Sequence, residues 1–292
     1  MTPIRLAFIG GSGIYSIDGM SIVDELAIKT PFGKPSDKIM VGAFEDGSRI
    51  AFLPRHGRGH RLLPTEVNSR ANIWALKSIG VESIVSLSAV GSLREEIAPR
   101  HLVIPDQLID RTRHRPESSF FGEGIVGHVS FADPYCGELR AILIKAAREA
   151  GATIHDKGTL VCMEGPMFST RAESLLYRSW NASIIGMTVL PEAKLAREAE
   201  IAYATLALVT DYDCWRETGE AVHTEMVVET MGVNNETARR IVRILASHQE
   251  RLPRECRCSS AAQNAVMTDR RLFPKKTMKK LALLYGKYWT RP

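Results

Sequence analysis

The chain has 292 residues, of which 45% are hydrophobic and 24% are charged, and its formal net charge at pH 7 is +5. These proportions are typical of a soluble globular protein with a large core. Because no apolar run is long enough to span a bilayer and the N-terminus has no signal-peptide layout, the sequence argues against a membrane or secreted protein, and we expect a cytoplasmic one.

The positive charge is concentrated at the C-terminus. Residues 251–292 contain eleven Lys and Arg against two acidic residues, so residues 1–250 carry a net charge of −4. A mildly acidic body is not typical of a nucleic-acid-binding protein. The basic segment nevertheless leaves a nucleic-acid-binding or scaffold role as an alternative from a different class.

The five cysteines fall into two groups. Cys256 and Cys258 are too close in sequence for an unstrained disulfide, and the sequence offers no neighbouring His or second Cys pair to complete a zinc site. The others are scattered singly and are typical of small core residues or idle thiols: Cys136, Cys162 and Cys214.

The first predicted strand, residues 6–9, runs into the glycine loop Gly10-Gly11-Ser12-Gly13. Glycines let backbone N–H groups approach an anion, and the Ser12 hydroxyl adds a donor, so the loop is a candidate phosphate cradle, with a plain turn as the alternative. A dinucleotide fingerprint fits poorly because Ser16 stands where its third glycine belongs.

Basic residues follow the next predicted strand. Residues 50–54 lead into Arg55-His56-Gly57-Arg58-Gly59-His60, where basic residues alternate with glycine. An Arg guanidinium binds phosphate through two parallel hydrogen bonds, and His adds a further donor, so this stretch predicts an anion site. A helix over residues 71–77 and a buried strand over 81–89 follow, and this strand ends in Ser88 and Ala89, which we also place at a phosphate.

Later strands end in further candidate ligands. The sequence predicts a helix over residues 138–151, a strand over 159–163 and a helix capped by Ser169 or Thr170, with Phe168 placed to lie on a planar base. A short strand over residues 184–188 ends in Met187 and Thr188, and a helix over 191–199 follows.

The strongest signal is the buried strand over residues 201–210, which ends abruptly in Asp211-Tyr212-Asp213. Ligands gather at the carboxyl ends of strands in α/β sheets, and two acids in an extended segment project to the same side. A buried acid pair splits its titration, so one carboxyl could donate to N7 of adenine while the other accepts from the 6-amino group. A helix cap or Asx turn and a metal-binding Asp-x-Asp are the alternatives.

Taken in order, these motifs resemble the 5′-methylthioadenosine phosphorylases, in the trimeric branch of the purine nucleoside phosphorylases. The resemblance covers roughly residues 4–245 and is carried by these strings: GGSG (10–13), TPFGKPSD (30–37), PRHG (54–57), ANIWALK (71–77), GSLREEI (91–97), DQLIDRT (106–112), EGPMFSTRAES (164–174) and TDYDCW (210–215).

This resemblance implies a single α/β domain whose central twisted mixed sheet is partly closed into a barrel and flanked by helices. Residues 1–250 would form this phosphorylase domain, and residues 251–292 a basic extension. It also implies a homotrimer or a dimer of trimers. The reaction would be attack of phosphate on C1′ of methylthioadenosine in purine and methionine salvage, giving adenine and 5-methylthioribose 1-phosphate, with no metal or organic cofactor.

The resemblance also implies roles for individual residues. The phosphate ligands would be Ser12, Arg55, His56, Ser88, the backbone of Ala89, and Thr188. The residues around the nucleoside would be Met187 under the ribose, Phe168 against the purine, and Asp211, Tyr212 and Asp213 at the base, with Asp211 as the catalytic acid. His128 would reach a neighbouring subunit's site.

Substrate specificity would depend on Ser169 and Thr224. Thr224 is polar where many methylthioadenosine enzymes carry an apolar residue, as in relatives that accept a 5′-hydroxyl group. The alternative is therefore a broader phosphorylase that acts on adenosine, 5′-deoxyadenosine or methylthioinosine. Asp213 favours a 6-amino base, since a 6-oxo base would prefer an amide.

Overall fold

The computed structural model describes residues 4–11, 13, 17–115, 117–216 and 224–289, and for residues 224–226 it describes the backbone alone. The strands in this part of the chain are β1 (Leu6–Gly10), β2 (Met20–Leu26), β3 (Ile39–Phe44), β4 (Arg49–Pro54), β5 (Ser83–Ser92), β6 (Leu102–Val103), β7 (Gln107–Arg111), β8 (Ile154–His155), β9 (Thr159–Met163), β10 (Ile184–Gly186) and β11 (Ala202–Asp211). The α-helices are α1 (Ser69–Ser78), α2 (Gly137–Glu149), α3 (Arg171–Ser179), α4 (Glu192–Glu198), α5 (Thr224–Ser247) and α6 (Lys275–Trp289).

One mixed sheet contains all the described strands. Its main path runs β2-β3-β4-β1-β5-β10-β9-β7, and β11, β6 and β8 branch from it at β5. The neighbours β4, β1, β5 and β11 are parallel, whereas β2, β3 and β4 pair antiparallel. The predicted α/β class with a central mixed sheet is therefore confirmed, and closure into a partial barrel stays a prediction.

Helices cover both faces of the sheet, which is why its central strands are buried along most of their length. In β1, Ala7 and Ile9 pack in a core cluster with side chains from α1, α4 and α6. Leu6 and Phe8 point the opposite way, into a cluster with α2 and α5. No α-helix was predicted within residues 224–247, where α5 forms. No helix in the described ranges is long and apolar enough to cross a bilayer.

The C-terminal segment packs on the body of its own chain. Leu281, Leu284 and Tyr285 of α6 are buried in the same cluster as Ala7. The Lys280 ammonium pairs with Glu123, an acid on the body, at 2.5 Å between Nζ and Oε1. The basic C-terminal segment thus forms a helix that packs on the body of its own chain.

Two local expectations are wrong. Asp211 and Asp213 do not lie in one extended segment, because β11 ends at Asp211 and the backbone turns at Asp213, whose φ is +51°. Cys136 is not an isolated core thiol: its sulfur meets those of Cys256 and Cys258, with all three within 4.8 Å of one another. The turn at Asp213 is local and was one of the alternatives that the sequence left open, whereas the meeting of the three sulfurs depends on how the chain folds back.

Candidate active site

The carboxyl ends of four parallel strands bring the predicted site residues to one edge of the sheet. Gly10 ends β1, and its carbonyl accepts a hydrogen bond of 3.0 Å from the backbone N–H of Arg55, the residue after β4. On the other side of β1, β5 carries Ser88, and β11 ends at Asp211 opposite Gly91 of β5. The order of strands therefore places four groups along one edge of the sheet: Arg55 after β4, Gly10 at the end of β1, Ser88 in β5 and Asp211 at the end of β11.

Two hydroxyl groups form the centre of the candidate phosphate site. β10 runs antiparallel to β5 with Ile185 opposite Gly91, and continuing this register places Thr188 opposite Ser88. Ser88 Oγ and Thr188 Oγ1 lie 3.1 Å apart. Ala89 follows Ser88 and is exposed, so its backbone is accessible at this edge. The structure thus brings together three of the predicted phosphate ligands.

Arg55 lies behind these hydroxyls. Its side chain is 3% exposed, and its guanidinium donates to both carboxylate oxygens of Glu192. It also donates to Ser86 Oγ at 2.7 Å, and Ser86 Oγ lies 3.4 Å from Ser88 Oγ. This geometry lets Arg55 orient the serine hydroxyls, and its charge stays close to the phosphate position.

His56 is held in one tautomer by the backbone. Its Nδ1 lies 2.8 Å from the carbonyl oxygen of Leu62, and because a carbonyl only accepts, Nδ1 must carry the proton. Burial, reinforced by the positive charge of Arg55, lowers the pKa of His56 to about 4. The ring is therefore neutral at pH 7, and Nε2 is a hydrogen-bond acceptor.

The acid pair lies beside Gly91. A Cβ atom at Gly91 would lie 2.9 Å from Asp211 Oδ1 and 3.3 Å from the Cβ of Asp213, so only glycine leaves room for both side chains. Asp211 accepts hydrogen bonds from Thr210 Oγ1 and from the backbone N–H of Asp213, each 2.7 Å long. This is the Asx turn that was the alternative interpretation, and the turn itself holds the two acids together.

Both acids have raised pKa values because they are buried. Among the described residues, Asp213 Oδ2 makes no hydrogen bond of good geometry, although the hydroxyls of Ser174 and Ser169 lie near it and lower its pKa. Burial favours the protonated form of a carboxyl group, so one acid of this pair is suited to offer a proton while the other accepts a hydrogen bond.

The loop that carries Phe168 reaches the acid pair. Phe168 is 46% exposed, so its ring is available to a ligand. The next residue, Ser169, accepts a hydrogen bond at its carbonyl oxygen from the thiol of Cys214, at 3.2 Å. This contact joins the loop to the turn that follows β11. The Tyr212 hydroxyl donates instead to Glu95 O, so contact of Tyr212 with a base would fall to its backbone.

Met187 precedes Thr188 and packs against Gly165 of the loop that carries Phe168. Gly165 packs against it so closely that a Cβ there would lie 2.5 Å from Met187 Sδ, and the φ of Gly165 is +71°. Arg115, a residue that sequence reasoning did not assign to the site, donates to the carbonyl oxygens of Met187 and Glu164 at 3.1 and 2.9 Å.

Other assigned residues are only partly described. Ser12 lies outside the described residues, and the structure describes only the backbone of Thr224. His128 is exposed, and its backbone N–H donates to Ala265 O at 2.8 Å. Glu192, which pairs with Arg55, also accepts from the buried Tyr203 hydroxyl at 2.8 Å. Neither Glu192 nor Tyr203 was assigned a role from the sequence.

Comparison with known proteins agrees with this arrangement. The phosphorylase superfamily matches residues 5–247. The S-methyl-5′-thioadenosine phosphorylase of Geobacter sulfurreducens is 53% identical over 283 residues, which cover 97% of this chain and 98% of that protein. The enzyme of the same name from Koribacter versatilis is 52% identical over 98% of this chain and 97% of that protein.

Solved structures give the same result. A methylthioadenosine phosphorylase from an Antarctic soil metagenomic library matches with a TM-score of 0.90 and 47% identity, covering 97% of this chain and 99% of that one. A methylthioadenosine phosphorylase from Schistosoma mansoni in complex with adenine matches with a TM-score of 0.81 and 34% identity, covering 97% and 98%. The chain therefore belongs to the phosphorylase superfamily and, within it, to the family of the S-methyl-5′-thioadenosine phosphorylases.

Proposed function

We propose that this chain is a pentosyltransferase that cleaves 5′-methylthioadenosine with phosphate, giving adenine and 5-methylthioribose 1-phosphate. The observation that carries the proposal is the placement of a hydroxyl cluster and a buried acid pair on the same strand edge. Ser88 and Gly91 are three residues apart on β5, which is roughly 10 Å at about 3.3 Å per residue. A ribose fits between a phosphate at one position and a purine at the other.

Phosphate is the proposed nucleophile, held by Ser88, Ala89 and Thr188. The neutral His56 ring offers Nε2 as an acceptor, which suits phosphate because its ions at neutral pH carry at least one hydroxyl group. Arg55 supplies positive charge from behind the serines. Fixing the anion in line with C1′ replaces a bimolecular encounter by an intramolecular step.

The leaving base is the second half of the reaction. As the bond from C1′ to N9 lengthens, negative charge builds on the purine, and a proton or hydrogen bond at N7 stabilises it. We assign the donor role to Asp211 and the acceptor role at the 6-amino group to Asp213. Phe168 would stack on the ring and Met187 would lie beneath the ribose, with its carbonyl held by Arg115.

The second candidate is a broader purine phosphorylase that also accepts a 5′-hydroxyl group. The polar side chain of Thr224, together with Ser169, favours it. The solved relatives from Schistosoma mansoni include one described as an adenosine/methylthioadenosine phosphorylase, which shows that one protein of this kind carries both names. The two candidates differ at the 5′ group and share the base and phosphate sites.

An assay panel tests both candidates. Methylthioadenosine, methylthioinosine, adenosine and 5′-deoxyadenosine are each incubated with the enzyme, with and without phosphate, and release of the free base is followed. We expect phosphate-dependent release of adenine, with methylthioadenosine giving the highest kcat/KM. Equal kcat/KM for adenosine would establish the broader activity, and base release without phosphate would contradict phosphorolysis.

We further propose that residues 1–250 form the catalytic domain and residues 251–292 an extension, which the end of the superfamily match at residue 247 supports. A homotrimer or dimer of trimers and a cytoplasmic location remain predictions. Sedimentation analysis of the purified chain would measure the assembly.

A further inference from the structure

Three thiol groups that are far apart in the sequence meet in the interior. Cys136 precedes α2, whereas Cys256 and Cys258 lie in the C-terminal segment. The three side chains are 3%, 6% and 4% exposed, and their sulfur atoms all lie within 4.8 Å of one another. None of them is in a disulfide. The cluster is on the α2 and α5 side of the sheet, away from the hydroxyls and acids of the active site.

The distances between the three sulfurs are close to those between three ligands of one metal ion. Thiolates bind zinc at about 2.3 Å, and three sulfurs at that distance around one ion in a plane are about 4 Å apart. Closing from 4.8 Å to that spacing needs shifts of less than about 1 Å. Because Cys256 and Cys258 are separated by one residue in a short turn, both sulfurs can move toward Cys136 without rearranging α2.

The three thiol groups influence one another's pKa values. Hydrogen bonds from Cys136 and Cys258 lower the pKa of Cys256, and the backbone N–H groups of Cys258 and Ser259 lower it further. The same sulfur–sulfur contacts raise the pKa of Cys258, and the positive charge of Arg197 acts in the opposite direction.

A buried thiolate among apolar side chains is costly unless a cation or donors compensate it. The cluster packs against Leu139 and Leu143 of α2 and Ala246 of α5. Cys136 is the residue immediately before α2, and the N-terminal end of a helix favours a negative charge there. The surrounding apolar side chains cannot neutralise the negative charge of a thiolate, whereas a metal ion bound to all three sulfurs would.

The ligand set selects soft cations. Thiolates prefer ions such as Cu⁺ and Zn²⁺ over hard, oxygen-binding ions such as Mg²⁺ and Ca²⁺. Among the described His, Cys, Asp and Glu residues, no fourth ligand joins the three sulfurs. Structural zinc is almost always four-coordinate, so three sulfurs alone suit three-coordinate Cu⁺ better.

We propose that Cys136, Cys256 and Cys258 form a three-thiolate site for a soft metal cation, which ties the C-terminal segment to the start of α2. Metal binding forms three metal–sulfur bonds, and each of the three cysteines that is still a thiol releases its proton. The affinity should therefore fall as pH falls. The site lies outside the proposed active site, so its role is structural.

The test titrates the fully reduced whole chain without oxygen, using Cu⁺ in competition with a chromogenic Cu⁺ chelator, and separately Cd²⁺ as a spectroscopic substitute for zinc. We expect one equivalent of metal to bind and the thermal midpoint to rise. The intensity of the thiolate-to-Cd²⁺ charge-transfer band in the wild-type protein should correspond to three thiolates, a measurement that needs no variant.

Variants then locate the site. Cys136→Ser, Cys256→Ser and Cys258→Ser should each weaken Cu⁺ binding by at least about 100-fold, more than the roughly 10- to 100-fold cost of losing an outer-shell partner. Cys214→Ser, which removes a thiol outside the cluster, should bind metal like the wild type. Absence of binding to the reduced wild-type chain, a band matching fewer than three thiolates, or undiminished binding in the three variants would each overturn the proposal.

Discussion

Arg55 and Glu192 form a bidentate ion pair in the interior of the protein. Arg55 Nε lies 3.0 Å from Glu192 Oε2, and Arg55 Nη2 lies 3.1 Å from Oε1. The two side chains are 3% and 1% exposed. Glu192 begins α4, so this pair joins the end of β4 to the helix that follows the Met187–Thr188 segment. The phosphate side of the site is thus held together by a pair that solvent does not screen.

Breaking this pair should destabilise the fold. Arg55→Ala would leave the Glu192 carboxylate buried without its cation, a change that typically costs about 3–5 kcal/mol. Arg148→Ala is the control, because it removes an exposed pair with Asp156, also 3.0 Å long, that should contribute less than about 1 kcal/mol. Urea unfolding measures both. If Arg55→Ala kept wild-type stability and raised only the phosphate KM, Arg55 would be a direct phosphate ligand.

Removing the proposed proton donor should reduce turnover. Asp211→Asn keeps the shape of the side chain and an oxygen that can accept from the Asp213 N–H group, but it cannot transfer a proton. We expect kcat to fall by roughly two to four orders of magnitude, the range for loss of a positioned acid. Asp156→Asn, at an exposed position, controls for the substitution itself. An Asp211→Asn variant within about threefold of the wild type would remove Asp211 from the general-acid role.

The neutral state of His56 predicts a pH dependence of stability. Its pKa falls from 6.5 to about 4 on folding, so between these values the unfolded chain binds a proton that the folded chain does not. Stability linked to His56 is therefore fully present above pH 6.5 and is lost as pH falls toward 4. We expect unfolding free energies of His56→Gln to depend less on pH than those of the wild type in this window. An unchanged slope would show that His56 titrates alike in both states.

A substitution at Gly91 tests whether the acid pair needs the space that glycine leaves. Gly91→Ala places a methyl group 2.9 Å from Asp211 Oδ1 and 3.2 Å from Ile185 Cγ2, so the acid pair must move. We expect kcat/KM for the nucleoside to fall by about 100-fold, since misplacement by about 1 Å can cost that much. Gly232→Ala is the matched control: it lies in α5 with no atom within 4 Å of the new methyl and should raise stability by about 1 kcal/mol. Unchanged kcat/KM in Gly91→Ala would mean that the acids tolerate this shift.

Two substitutions of Tyr285 in the C-terminal helix α6 should affect stability differently. Tyr285 is 1% exposed and its ring stacks on Phe121 with centroids 4.9 Å apart, but its hydroxyl has no hydrogen-bond partner in the described chain. Tyr285→Phe removes a buried unpaired hydroxyl and should leave stability equal or higher. Tyr285→Ala should cost about 3–5 kcal/mol through the cavity. Comparable losses in both variants would show that the hydroxyl is paired.

Local sequence was sufficient to locate the central strands and the polar residues at their carboxyl ends. Stretches such as residues 6–9 and 201–210 are mostly apolar, as expected for strands that are covered on both faces. Polar residues near the carboxyl ends of such strands, including His56, Ser88 and Asp211, then fall at the sheet edge. The short sequence strings that carry the family resemblance include His56 and Asp211, and each string can be recognised without knowledge of the fold.

The meeting of distant groups, in contrast, depends on the tertiary structure. Arg55 finds Glu192 137 residues away, and Thr188 reaches Ser88 through an antiparallel pairing of two strands. Cys136 joins Cys256 because the C-terminal segment returns to α2, which no spacing in the sequence encodes. Such contacts depend on sheet register and on how helices pack, and both are settled by burial over the whole chain rather than by neighbouring residues.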